Sequence, residues 1–450
     1  MSDDTKRYEE LTRLANAGAL TAFLEYARDL HASDLSDVLA GLDEDVRLRI
    51  VQSLPADVVS EAIAEMEDDE HPEELLEQLD LETAADIVEE LEDDDAADLI
   101  SDLPAEKAAQ ILSAVEVEDR QDIERLMKYD EESAGGLMTG AIVSLPDTLT
   151  AAQAIDEIRR QAQDVEEFYH VHCVDGERKL TGILPLQRLV VARPDALVKD
   201  LMEPSVAVAT PEMDQEEVAR LMARYNVPSI PVVDATGRLL GRVTFDDVID
   251  VVEAEQTEDL LKFGGSGGDE QLGGKWHEAV RSRLPWLYLN LFTAFFAGAV
   301  VVYFETTITQ IVLLAAIMPI VAGLGGNAGT QALAVTVRRT ALGLLPPGAG
   351  LAMVWKEMLV GIINGLAVGL VVGLLTMLLG EGWAFGAVVT VAMWGSLIVA
   401  ATVGASVPLL LLRLGFDPAV GSSVFITAIT DIVGFFILLW LASAVLLPIG

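Results

Sequence analysis

The sequence predicts a multidomain protein of mixed α + α/β class: a helical superhelix, a duplicated strand-and-helix module, a connecting helix and a five-helix transmembrane domain. Three observations predict it. Charge is segregated: six of the 72 acids and six of the 29 bases lie in residues 276–450, leaving 66 and 23 for residues 1–275, so the first part carries the full −43. A 12-residue repeat runs through residues 79–115, and a longer duplication fills residues 138–255. The boundaries expected from these changes of pattern are 1–130, 131–252, 253–283 and 284–450.

In the first segment Ala84-Ala85-Asp86, Ala96-Ala97-Asp98 and Ala108-Ala109-Gln110 align, as do Ile87, Leu99 and Ile111, and Leu91, Leu103 and Val115. Leu42 and Leu54 share the spacing, and Pro55 matches Pro104. Each unit reads as a short helix plus a turn that buries its apolar face only by stacking on a neighbour. A regulatory or docking module is expected.

The longer duplication starts at Met138-Thr139 and again at Met202-Glu203. Gly182-Ile183-Leu184-Pro185-Leu186-Gln187-Arg188-Leu189 aligns with Gly241-Arg242-Val243-Thr244-Phe245-Asp246-Asp247-Val248, the second preceded by the strand Ile230–Asp234 and a Thr236-Gly237 turn. This resembles a tandem CBS pair, the Bateman module, whose families form dimers and often bind adenine nucleotides. The resemblance places Thr244 and Asp247 where a ribose is held. Pro185 and Arg188 occupy those positions in the first copy, which argues against a nucleotide there. The alternative is a CBS fold without ligand.

An acidic helix continues from this module through Glu253–Asp259, followed by the linker Gly264-Gly265-Ser266-Gly267-Gly268. Glycine-rich linkers behave as flexible coil. The helix is placed to transmit a domain movement.

Five apolar stretches, roughly 286–304, 310–336, 357–379, 384–412 and 422–447, meet the length of about 20 residues that a membrane span needs. Arg281, Arg283, Arg338, Arg339, Lys356 and Arg413 all fall on one side of a five-span path, which makes that side cytoplasmic. A multi-pass protein of the plasma membrane with cytoplasmic N-terminal domains is expected. The start Met1-Ser2-Asp3-Asp4 lacks the pattern of a secretory signal. Cys173 is the only cysteine, which excludes an intrachain disulfide and suits a reducing compartment.

So acidic a body is unsuited to nucleic acid or to an anionic membrane surface. Its acidity has two readings. Carboxylates bind divalent cations, yet 21 Arg against 8 Lys with acids spread throughout is also the pattern of high-salt adaptation. Sensing must therefore be argued position by position.

Within the spans, Pro319 and four glycines between Pro319 and Gly329 predict an interrupted second helix, tolerated only beside protein or a water-filled cavity. The alternative is a kink with Gly325 and Gly329 packed on another helix. Gly361, Gly365, Gly369 and Gly373 form an i, i+4 ridge for close helix packing within a protomer or across a dimer, and Asn364 beside it is expected to bond a neighbouring helix, with a place lining a pore as the alternative. Asp431 lies about 13 Å into the fifth span at 1.5 Å per residue. A charge there costs about 2.5–3.5 kcal/mol on insertion scales, so it marks a functional site. No basic residue in the spans is placed to neutralise it. In a two-fold dimer two copies would form a site for a hard divalent ion held through its hydration shell, with the Ala428 carbonyl one turn earlier assisting. His170, His172 and Cys173 do not form a compact metal site, because the histidines share one strand face and Cys173 the other.

Pro319 through Gln331, Arg283-Leu284-Pro285-Trp286, and Asp417-Pro418-Ala419 followed by Asp431 resemble the MgtE family of magnesium channels, as does the domain order over essentially the whole chain. The resemblance implies a homodimer in the lipid bilayer with its pore built from spans two and five, Asp431 as the selectivity carboxylate and Asn327 nearby. It also implies that internal Mg2+ bound between cytosolic carboxylates locks the pore, and that ATP can bind the CBS module. By placement the sensing acids are Asp94 and Asp98 in the first domain, Asp214, Glu216, Asp247 and Asp250 in the CBS pair, Glu255, Glu258 and Asp259 on the connecting helix, and Asp417 at the cytoplasmic mouth. No catalytic residue is expected: an aspartyl mechanism needs paired acids at depth, and no H-E-x-x-H motif exists. Two alternatives remain open, a channel for another divalent cation such as manganese or cobalt, and a membrane-anchored nucleotide sensor that conducts nothing.

Overall fold

The computed structural model of the 450-residue chain describes residues 3–27, 30–66, 70–162, 168–266, 275–346, 348–418 and 422–447. The expected linker residues Gly267 and Gly268, and Ala419 of the Asp-Pro-Ala motif, lie outside them. The chain forms two compact units, Met1–Glu253 and Ala254–Gly450.

The first unit opens with helices α1 (Asp3–Asn16), α2 (Leu20–Ala27), α3 (Ala32–Ala40), α4 (Glu44–Val51), α5 (Ala56–Ala64), α6 (Pro72–Gln78), α7 (Leu81–Glu90), α8 (Asp93–Ser101), α9 (Ala105–Ala114) and α10 (Val117–Leu126). The 12-residue period is the spacing from α7 to α8 to α9. Ala84, Ala96 and Ala108 are all buried, and so are Ile87, Leu99 and Ile111. Pro55 and Pro104 stand at the N-caps of α5 and α9, where a missing N–H costs nothing because that donor has no helical partner.

The duplicated module follows as β1 (Ser144–Pro146), α11 (Ala151–Gln161), β2 (His170–Val174), β3 (Leu180–Pro185), α12 (Leu186–Val191), α13 (Val198–Leu201), α14 (Gln215–Tyr225), β4 (Ser229–Val233), β5 (Leu239–Thr244) and α15 (Phe245–Gly264). One sheet has the order β1-β2-β3 and the other β4-β5. A reciprocal exchange joins the copies. Thr139, at the head of the first, bridges Arg242 in the second, and Glu203, at the head of the second, bridges Ile183 in the first. Glycine is required at both crossings, since a Cβ on Gly182 would lie 2.6 Å from Glu203 O and one on Gly241 2.9 Å from Thr139 O. One apolar core runs from Leu11 in α1 to Val251 in α15, so the helical domain and the second copy fold as one body.

The second unit takes the end of α15 and then α16 (Trp276–Tyr303), the short α17 (Glu305–Gln310), α18 (Leu313–Ala341), α19 (Gly350–Leu378), α20 (Trp383–Leu414) and α21 (Ser422–Leu446). Among the described residues five helices, α16 and α18–α21, are long and apolar enough to cross a membrane. α20 packs against α18, α19 and α21.

Two expectations about these helices are corrected. α18 is a continuous helix through Pro319 and the glycines. Pro319 is only its seventh residue, and in lipid a broken ladder has no water to satisfy it, so the glycines serve packing instead. A Cβ on Gly329 would lie 2.5 Å from Ile426 Cγ2, and one on Gly404 2.3 Å from Gly329 O. α19 begins at Gly350, not near residue 357, because Lys356 and Glu357 interrupt the apolar run without interrupting the helix. Glu357 thereby lies inside a spanning helix, 6% exposed and bonded to Lys356 Nζ at 3.0 Å.

The ridge of Gly361, Gly365, Gly369 and Gly373 packs on α20 of the same protomer, where added Cβ atoms would lie 2.6–3.0 Å from the backbone carbonyls of Leu397, Trp394, Thr390 and Gly386. Thr390 Oγ1 donates to Gly369 O at 3.1 Å and Trp394 Nε1 to Ile362 O at 2.9 Å across this contact. Asn364 is exposed beside the ridge, about 100° round the helix from the face that meets α20, and makes no hydrogen bond to another helix of its own chain among the described residues.

Gly369→Leu is expected to force α19 and α20 apart and lower stability by about 1–3 kcal/mol, the usual cost of overpacking. Gly323→Ala, which meets no atom within 4 Å, is the neutral control. Thermal unfolding of the purified protein in detergent, followed by tryptophan fluorescence, compares the two.

Candidate ion pathway and regulatory acids

Asp431 is the tenth residue of the 25-residue α21, which places it near the middle of the span. It is half-buried in the protomer and makes no hydrogen bond or ion pair among the described residues. Its neighbour Thr430 faces inward at 1% exposure and returns its hydroxyl to Thr427 O at 3.0 Å. Ala428, three residues before Asp431, shares its helix face. Asn327 is exposed on α18, roughly half a turn from Gly325 and Gly329, which pack inward. The chain therefore aligns Ala428 with Asp431, while Asn327 makes no hydrogen bond to either among the described residues.

At the cytoplasmic end of these helices, Phe263 in the last turn of α15 packs on a small apolar cluster of Leu333 and Val337 from α18 and Ile426 from α21. Beside it Lys262 Nζ donates to Asp417 Oδ2 at 2.8 Å and bonds Glu258 Oε1. Burial works against charge on Lys262, but these two carboxylates outweigh it and hold the ammonium above the ordinary lysine value. Burial raises Asp259 as well, followed by the charge of Asp417, with Glu255 and Glu258 adding and Lys262 opposing. Glu255, Glu258, Asp259 and Asp417 thus form one group of acids around a single ammonium.

In the first unit α8 brings Asp94 against Asp247 at the start of α15. Asp94 is 6% exposed and its Oδ1 has no hydrogen-bond partner. Burial, then the charge of Asp247, pushes its carboxyl well above the usual range. Asp247 is raised to about 6 by burial, with Asp246 and Asp250 adding and two bonds from Thr244 opposing. Those bonds come from Thr244 N at 3.2 Å and Thr244 Oγ1 at 2.5 Å, both to Asp247 Oδ2. A buried and a part-buried carboxylate, one with an orphaned oxygen, thus lie at the join of the helical domain and the CBS pair, although no group of three or more His, Cys, Asp or Glu side chains placed to hold a metal ion occurs among the described residues.

The other named acids are less drawn together. Asp214 caps α14 by accepting from Glu216 N at 2.9 Å, an ordinary structural task. Glu216 lies 3.8 Å from Arg220 one turn on. Asp98 is partly buried on α8, and Asp250 is exposed on α15. In the first CBS copy Arg188 is engaged by Glu203 and by Leu201 O. His170 and His172 share a face with ring centroids 5.5 Å apart, while Cys173 lies in the core on the other side. Burial drives His172 down to about 3 and Cys173 up to about 12, so these are neutral core groups.

Residues 318–441 match the family described as divalent cation transporter, residues 30–132 the MgtE intracellular N domain and residues 198–254 the CBS domain. The magnesium transporter MgtE of Bacillus subtilis is 34% identical over 330 residues, 73% of each chain, and that of Thermus thermophilus 35% identical over 334 residues, again 73% of each. The chain belongs to the MgtE family of magnesium transporters. The crystal structure of the soluble part of a magnesium transporter covers 56% of this chain and 99% of its own at 30% identity and TM-score 0.52. The cytosolic domain of the Mg2+ channel MgtE in complex with ATP covers 54% and 99% at 34% identity and TM-score 0.51. The helical domain, the CBS pair and the five apolar helices are therefore the parts of a multi-pass membrane transporter.

Within this MgtE framework the structure adds residues that sequence reasoning missed. Lys262 is four residues after Glu258, a spacing that signals an intrahelical ion pair. Phe263 is a lone aromatic at a helix end and carried no signal. Asp93, raised to about 6 by burial and then by Asp122 with Arg125 opposing, is one acid in a run of four, Glu92 to Asp95.

The pH dependence has a definite sign. Asp93 and Asp247 have folded values near 6, above their ordinary value, so between that value and 6 the folded state binds more protons than the unfolded one. Stability in chelator then rises as pH falls through 6 toward that ordinary value, by about 1 kcal/mol at pH 5 for Asp247 and by less for the more solvent-screened Asp93. Asp94→Asn is expected to raise the stability of the metal-free protein at pH 7 and to flatten this profile. Urea unfolding in EDTA between pH 5 and 7.5 measures both.

Proposed function

We propose that this transporter is a homodimeric magnesium channel, with Asp431 as the carboxylate that meets the ion in the pore and Asn327 and the Ala428 carbonyl beside its path. The observation that carries the reading is Asp431 itself: a mid-span acid without a bonding partner among the described residues, on a helix packed through glycines against α18 and α20. A membrane anchor needs no such group. Two protomers bring two copies to one axis, and the pair holds a hydrated magnesium ion without stripping its water.

Internal magnesium closes the channel by occupying the cytosolic acids. Asp94 with Asp247 forms the strongest of these positions, with Asp98 and Asp250 around it and Asp214 and Glu216 at the N-terminus of α14. Glu255, Glu258, Asp259 and Asp417 form the second group, at the cytoplasmic mouth. Without the ion, like charges held together at low dielectric drive the domains apart; with it, they are bridged.

ATP at the second CBS copy modulates the same equilibrium. Thr244 and Asp247 stand in the ribose-holding positions, and the relative solved with ATP supports the assignment. Asp247 Oδ2 already accepts from Thr244, and the same carboxylate faces Asp94, so nucleotide and metal meet at one residue. The description divalent cation transporter also fits manganese or cobalt as cargo.

Magnesium flux into reconstituted vesicles is expected to fall at least tenfold in Asp431→Ala, and manganese or cobalt to compete only weakly in the parent protein. Unchanged flux in the variant would overturn the pore assignment. Neutralising Glu258 and Asp259 together is expected to leave flux high at internal magnesium that closes the parent channel; retained closure would reduce those acids to solvated surface.

A further inference from the structure

The acids at the cytoplasmic mouth already hold a cation, and it is part of the chain. Lys262 Nζ stands 2.8 Å from Asp417 Oδ2 and is bonded to Glu258 Oε1, with its side chain 16% exposed. Glu258 precedes Lys262 by one helical turn, the favourable order for such a pair. Asp417 arrives from the loop between α20 and α21, so the ammonium ties the end of α15 to the segment that leads into the helix carrying Asp431.

We propose that Lys262 is the resident cation of the gate: it bridges Glu258 and Asp417 and anchors the connecting helix at the mouth without a metal ion. The inference deepens the channel reading above and rests on it for the meaning of closure.

Geometry gives the anchor two components on adjacent residues. Phe263 contributes apolar contact with Leu333 and Val337 of α18 and Ile426 of α21, and Lys262 contributes the ionic bridge. Apolar contact alone is non-directional. The bridge fixes which turn of the helix lies at the mouth.

Chemistry favours the ammonium over a metal at this pair. Magnesium demands near-octahedral oxygen ligation and dehydrates reluctantly, whereas the ammonium needs only acceptors at hydrogen-bond distance. A magnesium ion bridging Glu258 and Asp417 would have to displace a side chain already tethered to one of them. Closure at the mouth is then partly built in, and magnesium at the acids of the same group adds to a bridge that the chain already supplies. Removing the ammonium leaves the helix more mobile without magnesium, and more internal magnesium is needed to close the pore.

The test uses the full-length protein in lipid nanodiscs and vesicles. Backbone hydrogen exchange over residues 254–264 in EDTA is expected to be at least threefold faster in Lys262→Gln than in the parent, and unchanged in Lys262→Arg. The internal magnesium that half-closes the channel is expected to rise at least threefold in Lys262→Gln. The double variant Lys262→Glu with Asp417→Lys, which rebuilds the bridge with its charges exchanged, is expected to recover exchange protection and answers the objection that a single change merely misfolds. Unchanged exchange in Lys262→Gln overturns the proposal. So does a fall in half-closing magnesium, because Lys262 would then be a competitor of the ion. If the parent conducts no magnesium, the channel reading fails, while the exchange result still decides whether the anchor exists.

Discussion

A carboxylate withdrawn from water must be compensated, and the arrangement of both units follows from how each buried acid meets that requirement. Three solutions occur in one chain. Lys262 supplies a covalently attached cation to Glu258 and Asp417. Asp94 feels the charge of Asp247 and keeps an orphaned oxygen, while Asp247 is bonded by Thr244, so protonation is the compensation open to the buried Asp94 carboxyl in the metal-free chain. Asp431 lies at mid-span without a bonding partner among the described residues, the position proposed above for the ion. The cost of an uncompensated buried charge is several kcal/mol, comparable with the whole stability of a domain. Occupancy of such sites can therefore move domains, whereas occupancy of surface acids cannot.

Close helix packing makes the intramembrane part of this possible. Water cannot repair backbone hydrogen bonds in lipid, so α18 stays helical through Pro319 and its glycines. The same glycines let α18, α20 and α21 approach until added Cβ atoms would collide with Ile426 or with the Gly329 carbonyl. A rigid three-helix contact holds Asp431 at a fixed depth.

The elements legible in the sequence were those whose signal is periodic. The 12-residue spacing of Ala84, Ala96 and Ala108 is the spacing of α7, α8 and α9, and the alignment of Gly182 with Gly241 reports two equivalent crossings between the CBS copies. The spans were legible from hydropathy, and Asp431 from standing alone within one. The errors have a common physical origin. Pro319 and its glycines signal either a break or a packing face, and at α18 the packing face wins because the helix closes its own ladder in lipid. Lys356 and Glu357 were read as the edge of the bilayer, although a long lysine chain can reach the interface from within the helix and pair with its neighbour. Which acids lie together was not legible at all, because Asp94 meets Asp247 and Lys262 meets Asp417 only after folding, and separation along the chain carries no trace of either.

The −43 charge has to be weighed against the distance over which charge acts. The Debye length is about 8 Å at physiological ionic strength and about 3 Å at 1 M, so repulsion summed over the whole acidic body fades as salt rises. Contacts at 2.8 Å between part-buried groups are screened far less. If the abundance of acids and the scarcity of lysine in this chain reflect a salty environment, sensing by bulk repulsion would fail there, while the Asp94–Asp247 pair and the Lys262 bridge would persist. The useful electrostatics is thus concentrated in a few carboxylates taken out of solvent. The remaining acids keep the body soluble, and one of the chain's eight lysines is placed where a mobile counter-ion could not be relied on to stay.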